Sequence, residues 1–140
     1  MAESNKPSKS FQEGELVRRA VLGDDYVDKA LEKGQSEFTK PLQQFITEYA
    51  WGTVWTRPEL ERKYRSLINL GFLIALKSWA ELKLHTKGAI RNGISVVEIR
   101  EIVMQSMIYC GVPTGVEAMR QTEVAIKEMA EAGECEPLKS

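Results

Sequence analysis

The sequence predicts an all-α fold, and three observations carry that prediction. Apolar residues recur every three or four positions along most of the chain, helix-capping motifs and glycines punctuate the repeats, and no segment alternates apolar and polar residues between turn signals. Three-to-four spacing lines one face of a helix, whereas a half-buried strand needs a period of two. At 140 residues the chain suits one domain that buries a core without disulfides or a structural metal.

Residues 1–12 are polar with a proline and read as a tail, residues 13–132 as the folded domain, and "GECEPLKS" (133–140) as a second tail. "ELVRRAVLGDDYVDKALEK" (15–33) predicts a short apolar helix, a break at which Asp24 or Asp25 caps, and another helix before Gly34. "PLQQFITEYAWG" (41–52) puts Leu42, Phe45, Ile46 and Tyr49 on one apolar face and ends on Gly52 as a stop. The next helix opens on a Thr56–Glu59 capping box with Pro58 in its first turn, where a missing N–H costs nothing. Its apolar run "LINLGFLIAL" (67–76) falls well short of the ~20 residues of a membrane span and predicts a buried helix. "AELKLHTKGAIRNG" (80–93) ends at Asn92-Gly93, a left-handed cap pair. Ser95 and Glu98 box the start of a helix whose face carries Ile99, Ile102, Val103, Ser106 and Cys110, and which stops at Gly111. The last helix offers Val116, Met119, Val124, Ile126 and Met129 as apolar contacts and Gly133 as its stop.

Charge and cysteine usage remove several function classes. Nineteen basic residues against 20 acidic ones leave no single-signed field for nucleic acid or a membrane surface. Cys110 and Cys135 form no Cys-x-x-Cys, and with a single histidine there is no zinc-finger spacing, so neither a metal nor a disulfide framework is expected. The start "MAESNKPSKSFQEGE" has no apolar signal core, and the expected setting is the cytoplasm. Cys110 sits near an apolar helix face and reads as an inert buried thiol, Cys135 as an incidental residue of the tail.

The chemistry-bearing stretch is "SWAELKLH" (78–85), which holds the one histidine. Glu81 and His85 are four apart and share a helix face, with Ser78 a further turn back. A carboxylate beside an imidazole raises its pKa and orients it, which suits proton delivery near neutrality. The same spacing also decorates ordinary solvated helices.

The stretches "EYAWGTVWTRPELERKYRSLINL" (48–70), "ELKLHTKGAIRNGIS" (81–95) and "EIREIVMQSMIYCGVPTGVEA" (98–118), preceded by "RRAVLGDDYVD" (18–28), together resemble the γ-carboxymuconolactone decarboxylase family over roughly residues 15–130. That family is similar to the alkylhydroperoxidase D group, whose motif is Cys-x-x-Cys-x-x-x-His. Laid on that motif, the two cysteine places fall on Ser78 and Glu81 and the histidine place on His85. Without the thiolate pair, disulfide-based peroxide reduction is not expected. Ser66 falls where the peroxidase relatives carry a proton-relay glutamate.

The resemblance implies an alkylhydroperoxidase D-like helical bundle assembled as a homo-oligomer, a trimer or hexamer. It implies decarboxylation of 4-carboxymuconolactone to 3-oxoadipate enol-lactone, a step of protocatechuate breakdown in the β-ketoadipate pathway, with no cofactor. Such a reaction needs cations for the substrate carboxylates, a donor facing the developing enolate and an acid for the carbon. Arg57, Arg62 and Arg65 are the candidate carboxylate anchors, with Arg18 and Arg19 as a further pair; solvated side chains are the alternative for each. His85 is the expected proton donor, oriented by Glu81, while Ser66 and Ser78 are placed to line the substrate site. Trp51 and Trp55 supply either an apolar wall that desolvates the scissile carboxylate or plain core packing. Two other readings stay open: a tailoring enzyme acting on another small cyclic acid or polyketide through the same site, and a catalytically silent oligomeric binding subunit.

Overall fold

The computed structural model describes residues 6–33 and 35–140, and among these it contains helices and no strand. The helices are α1 (Lys9–Leu22), α2 (Asp24–Asp28) with a π-helical turn Lys29–Lys33, α3 (Lys40–Ile46) continued as a π-helical segment Thr47–Val54, α4 (Arg62–Ala75), α5 (Trp79–Arg91), α6 (Val96–Cys110) and α7 (Val112–Glu131). The chain forms two compact units, Met1–Leu60 and Glu61–Ser140.

In the N-terminal unit, α1 lies directly against the π-helical extension of α3. Contact this close needs residues without side chains, and Gly14 and Gly52 supply them. A Cβ on Gly14 would run into the Thr47 carbonyl, and one on Gly52 into the Ser10 carbonyl. Gly52 is therefore a buried contact glycine inside a helix rather than the predicted stop. Ser10 Oγ donates to the Glu48 carbonyl at 2.8 Å across the same crossing. Helix α1 takes in Lys9–Gln12, assigned to the tail from sequence, because Ser8 Oγ caps it by accepting from the Phe11 N–H at 3.1 Å. Neither Asp24 nor Asp25 caps α2; Gly23, at φ +88°, turns the chain between helices, and Asp24 bonds Arg19 instead. Gly34 lies outside the described residues. The predicted apolar face of α3 is not a core face: Leu42, Phe45 and Tyr49 are exposed and only Ile46 is half-buried. Phe45 and Tyr49 pair with each other at 4.8 Å between ring centroids.

The Thr56–Glu59 capping box does not form. The preceding helical segment runs to Val54, Thr56 Oγ1 donates back to the Gly52 carbonyl at 2.7 Å, and α4 starts only at Arg62.

Glu61–Ser140 packs α4, α5, α6 and α7 around Leu70, Ile74, Leu82, Ala89, Ile94, Ile99, Val103, Ala118 and Ile126. The run 67–76 buries only Leu70 and Ile74, leaving Leu67, Ile68, Phe72 and Leu76 exposed, so it is amphipathic where a wholly buried helix was expected. On α7, Ile126 and Met129 are buried and Met119 packs on the core, while Val116 and Val124 are exposed. The Ser95–Glu98 box is present in both directions. Gly93, Gly111 and Gly133 all have positive φ at the predicted helix ends. Glu128 of α7 bridges Lys83 and Lys87 of α5 at 2.7 and 2.5 Å, and these hydrogen bonds hold its carboxyl below the usual carboxylate range. The C-terminal segment also docks: Glu134 pairs with Arg91 at 3.0 Å, and Cys135 packs on the core with its Sγ 3.6 Å from the Ile126 carbonyl.

The α4–α5 turn carries a local misfit. Lys77 is the one described non-glycine residue with positive φ, +55°. Left-handed backbone crowds a Cβ, so Lys77→Gly is expected to raise stability by about 0.5–1 kcal/mol. A thermal melt of the variant should rise by a few degrees; an unchanged or lower midpoint would contradict the assigned strain.

Candidate functional site

Helices α4 and α5 of the C-terminal unit pack on each other and carry Arg62 and Arg65 on the one and His85 on the other. The hairpin joining α4 to α5 makes them antiparallel, and they pack together along their length. On α5, His85 and Asn92 are seven residues apart, which is almost two full turns, so they occupy one stripe about 10 Å long. That stripe faces α4, because the Asn92 side-chain amide donates to Ser66 Oγ at 2.8 Å and lies 3.5 Å from the Arg62 carbonyl. On α4, Arg62, Arg65 and Asn69 follow one another at helical spacing beside Ser66, with Arg65 and Asn69 half-buried and Arg62 exposed.

His85 is half-buried, and burial pushes its imidazole down from 6.5 to about 4. The sequence reading expected a neighbouring carboxylate to raise it; instead desolvation of the cation dominates, and Glu81 is exposed on the first turn of α5. The ring is therefore neutral at pH 7. The unfolded chain binds a proton near 6.5 and the folded chain only near 4, so this contribution to stability is intact above about pH 6.5 and is lost as pH falls towards 4. Its upper bound is on the order of 3 kcal/mol. Urea unfolding at pH 7 and pH 5 should show a smaller acid loss in His85→Gln than in the wild type; equal losses would contradict this.

The other predicted residues fall in different places. Ser66 is fully buried and already accepts from Asn92. Ser78 is half-buried at the N-cap of α5 and makes no side-chain cap bond. Arg19 is fully committed within the N-terminal unit: Asp28, Glu15 and Asp24 hold its guanidinium at 2.7, 3.1 and 3.3 Å and raise its pKa further. Arg18 is buried and donates to Thr47 Oγ1 and Gln43 Oε1. Trp51 and Trp55 belong to the same unit, buried and stacked on each other at 4.8 Å. Arg57 is exposed, 3.9 Å from Glu59. From sequence Asn92 reads only as part of a cap, and its reach across to Ser66 was missed; its seven-residue spacing from His85 was the available signal. No cluster of metal-binding side chains occurs among the described residues, and no described helix is long and apolar enough to cross a membrane.

The carboxymuconolactone decarboxylase family profile matches residues 40–124. Nitrosuccinic acid decarboxylase npaB of Metarhizium robertsii is 52% identical over 124 residues, 89% of this chain and 86% of that one. 4-Carboxymuconolactone decarboxylase of Acinetobacter baylyi is 36% identical over 124 residues, 89% of this chain and 92% of that one. A shorter 4-carboxymuconolactone decarboxylase sequence from Pseudomonas putida is 48% identical over 42 residues, 30% of this chain and 85% of its own. The chain belongs to the carboxymuconolactone decarboxylase family and is a carboxy-lyase.

Proposed function

We propose that this chain decarboxylates a small nitro-substituted dicarboxylic acid of the nitrosuccinic type at the α4–α5 seam. The observation that carries this choice of substrate is the 52% identity, over nearly the whole chain, to a nitrosuccinic acid decarboxylase, against 36% over the same span for a 4-carboxymuconolactone decarboxylase. The two substrates pose one chemical problem. Each carries a carboxylate placed so that its bonding electron pair can pass into a π-acceptor, and each carries a further polar group for anchorage.

With nitrosuccinate the C–C bond to the carboxylate beside the nitro group breaks, CO2 leaves, and the electron pair moves onto the nitro oxygens as a nitronate. Protonation at carbon then gives 3-nitropropanoate. Arg62 and Arg65 hold the remaining carboxylate and the nitronate oxygens by paired hydrogen bonds. His85, neutral before substrate arrives, meets the developing nitronate through a ring N–H. That negative charge raises the basicity of the imidazole, which takes up a proton from solvent at its other nitrogen and, as imidazolium, delivers a proton to carbon. No organic cofactor is required, because the nitro group is itself the electron sink.

The test is CO2 release from freshly prepared nitrosuccinate, with the organic product followed by proton NMR. One equivalent of CO2 and of 3-nitropropanoate supports the reading. Turnover of 4-carboxymuconolactone alone would replace it with the family's named reaction, and turnover of neither would favour another small acid or a silent binding subunit.

Self-association is part of the same proposal. Phe38, Leu42, Phe45, Ile108 and Tyr109 are all more than half exposed, more large apolar surface than a lone chain ordinarily leaves in water. Sedimentation at micromolar concentration should give a mass several times that of one chain; a monomer would refute this.

A further inference from the structure

We propose that Asn92 is a positioning residue of the decarboxylation site, its amide holding the arginine-bearing face of α4 in register with His85 on α5 through the buried hydroxyl of Ser66. The inference rests on the α4–α5 seam being the reaction site.

The Asn92 side chain is spare as far as the helix end is concerned. Gly93, at φ +92°, reverses the chain, and backbone bonds from Gly93 N–H to the Ile90 carbonyl and from Ile94 N–H to the Ala89 carbonyl close the cap. Asn92 itself has φ −85°, which any residue adopts. Its carboxamide nevertheless reaches across to Ser66, a fully buried residue, at 2.8 Å. The same amide lies 3.5 Å from the Arg62 carbonyl, and Leu70 of α4 and Ala89 of α5 belong to the apolar core. Apolar packing is non-directional and tolerates small slides and rotations. Directed polar contacts from Asn92 restrict that freedom, as buried asparagines do in setting helix register elsewhere.

Asn92 does not itself touch the reacting atoms. It lies about 10 Å along α5 from His85, whereas a four-carbon diacid spans about 6 Å between its outermost oxygens. Ser66 is next in chain to Arg65 and four residues after Arg62, so any rotation of α4 that breaks the Asn92 bond carries both guanidiniums with it. A misplacement near 1 Å is enough to cost about a hundredfold in rate.

His85, as the sole histidine, gives one unambiguous imidazole resonance. The experiment is a ligand-free NMR pH titration of that resonance in wild type, Asn92→Ala, Ser66→Ala and the double variant, together with kcat and KM for nitrosuccinate. Loss of register opens the seam to water, so each single variant should raise the His85 midpoint by about half a unit or more. kcat/KM should fall by up to about a hundredfold, and the double variant should be no worse than the worse single one. Lower thermal midpoints with an unmoved His85 titration, or additive effects of the two substitutions, would overturn the proposal. Should Ser66→Ala not fold, Asn92→Ala decides alone. A shifted titration in a protein whose wild type does not turn over nitrosuccinate would support the register device while removing the substrate reading.

Discussion

His85→Gln is expected to lower kcat/KM by about a hundredfold or more, the ordinary contribution of a positioned general acid, while leaving the thermal midpoint at pH 7 close to wild type. Glutamine retains an amide donor of similar reach but cannot take up and pass on a proton. A hydrogen bond to the nitronate would thus survive in part and proton delivery would not. The ring is half-buried on α5 and neutral at pH 7, so its replacement by an amide of similar size removes no charge. The check is steady-state kinetics beside a thermal melt. Unchanged turnover would take His85 out of the mechanism.

Gly52→Val is expected to have the largest effect on folding, on the order of 3 kcal/mol or more. Its side chain would enter the space of the Ser10 carbonyl, which is helix backbone and has nowhere to retreat. Gly14 stands on the opposite wall of the same crossing, against the Thr47 carbonyl, so the two helices cannot separate slightly on one side to relieve the overlap. Gly71, on α4, is the control: an added Cβ there meets nothing within 4 Å, and Gly71→Ala is expected to stabilise by about 0.5–1 kcal/mol through the unfolded chain. Urea unfolding of both variants decides the matter. A Gly52→Val protein as stable as wild type would mean that α1 and the extended α3 are not in direct backbone contact.

The contrast between these glycines shows which features local sequence can reveal. Gly93, Gly111 and Gly133 end helices by their own backbone conformation, and the Ser95–Glu98 box closes within one turn, so all four were legible. Gly52 carries the same letter, but its role depends on α1, some forty residues earlier, and it was misread as a stop. Thr56 and Glu59 have the spacing of a cap, yet the preceding segment had already claimed the Thr56 hydroxyl. Leu42, Phe45 and Tyr49 share a face as expected, but periodicity does not say whether a face meets a core or solvent.

The site divides the same way. His85 and the arginines of α4 stand out from residue type and from likeness to a family. The neutral state of His85 depends on burial, and the Asn92–Ser66 bond on the register of two helices. No single stretch of sequence contains either.

The most direct measurement is the ratio of kcat/KM for nitrosuccinate to that for 4-carboxymuconolactone on the wild-type protein, each followed by CO2 release. A ratio in favour of nitrosuccinate by about tenfold or more is expected. Preference for the lactone, or no CO2 from either acid, would contradict it.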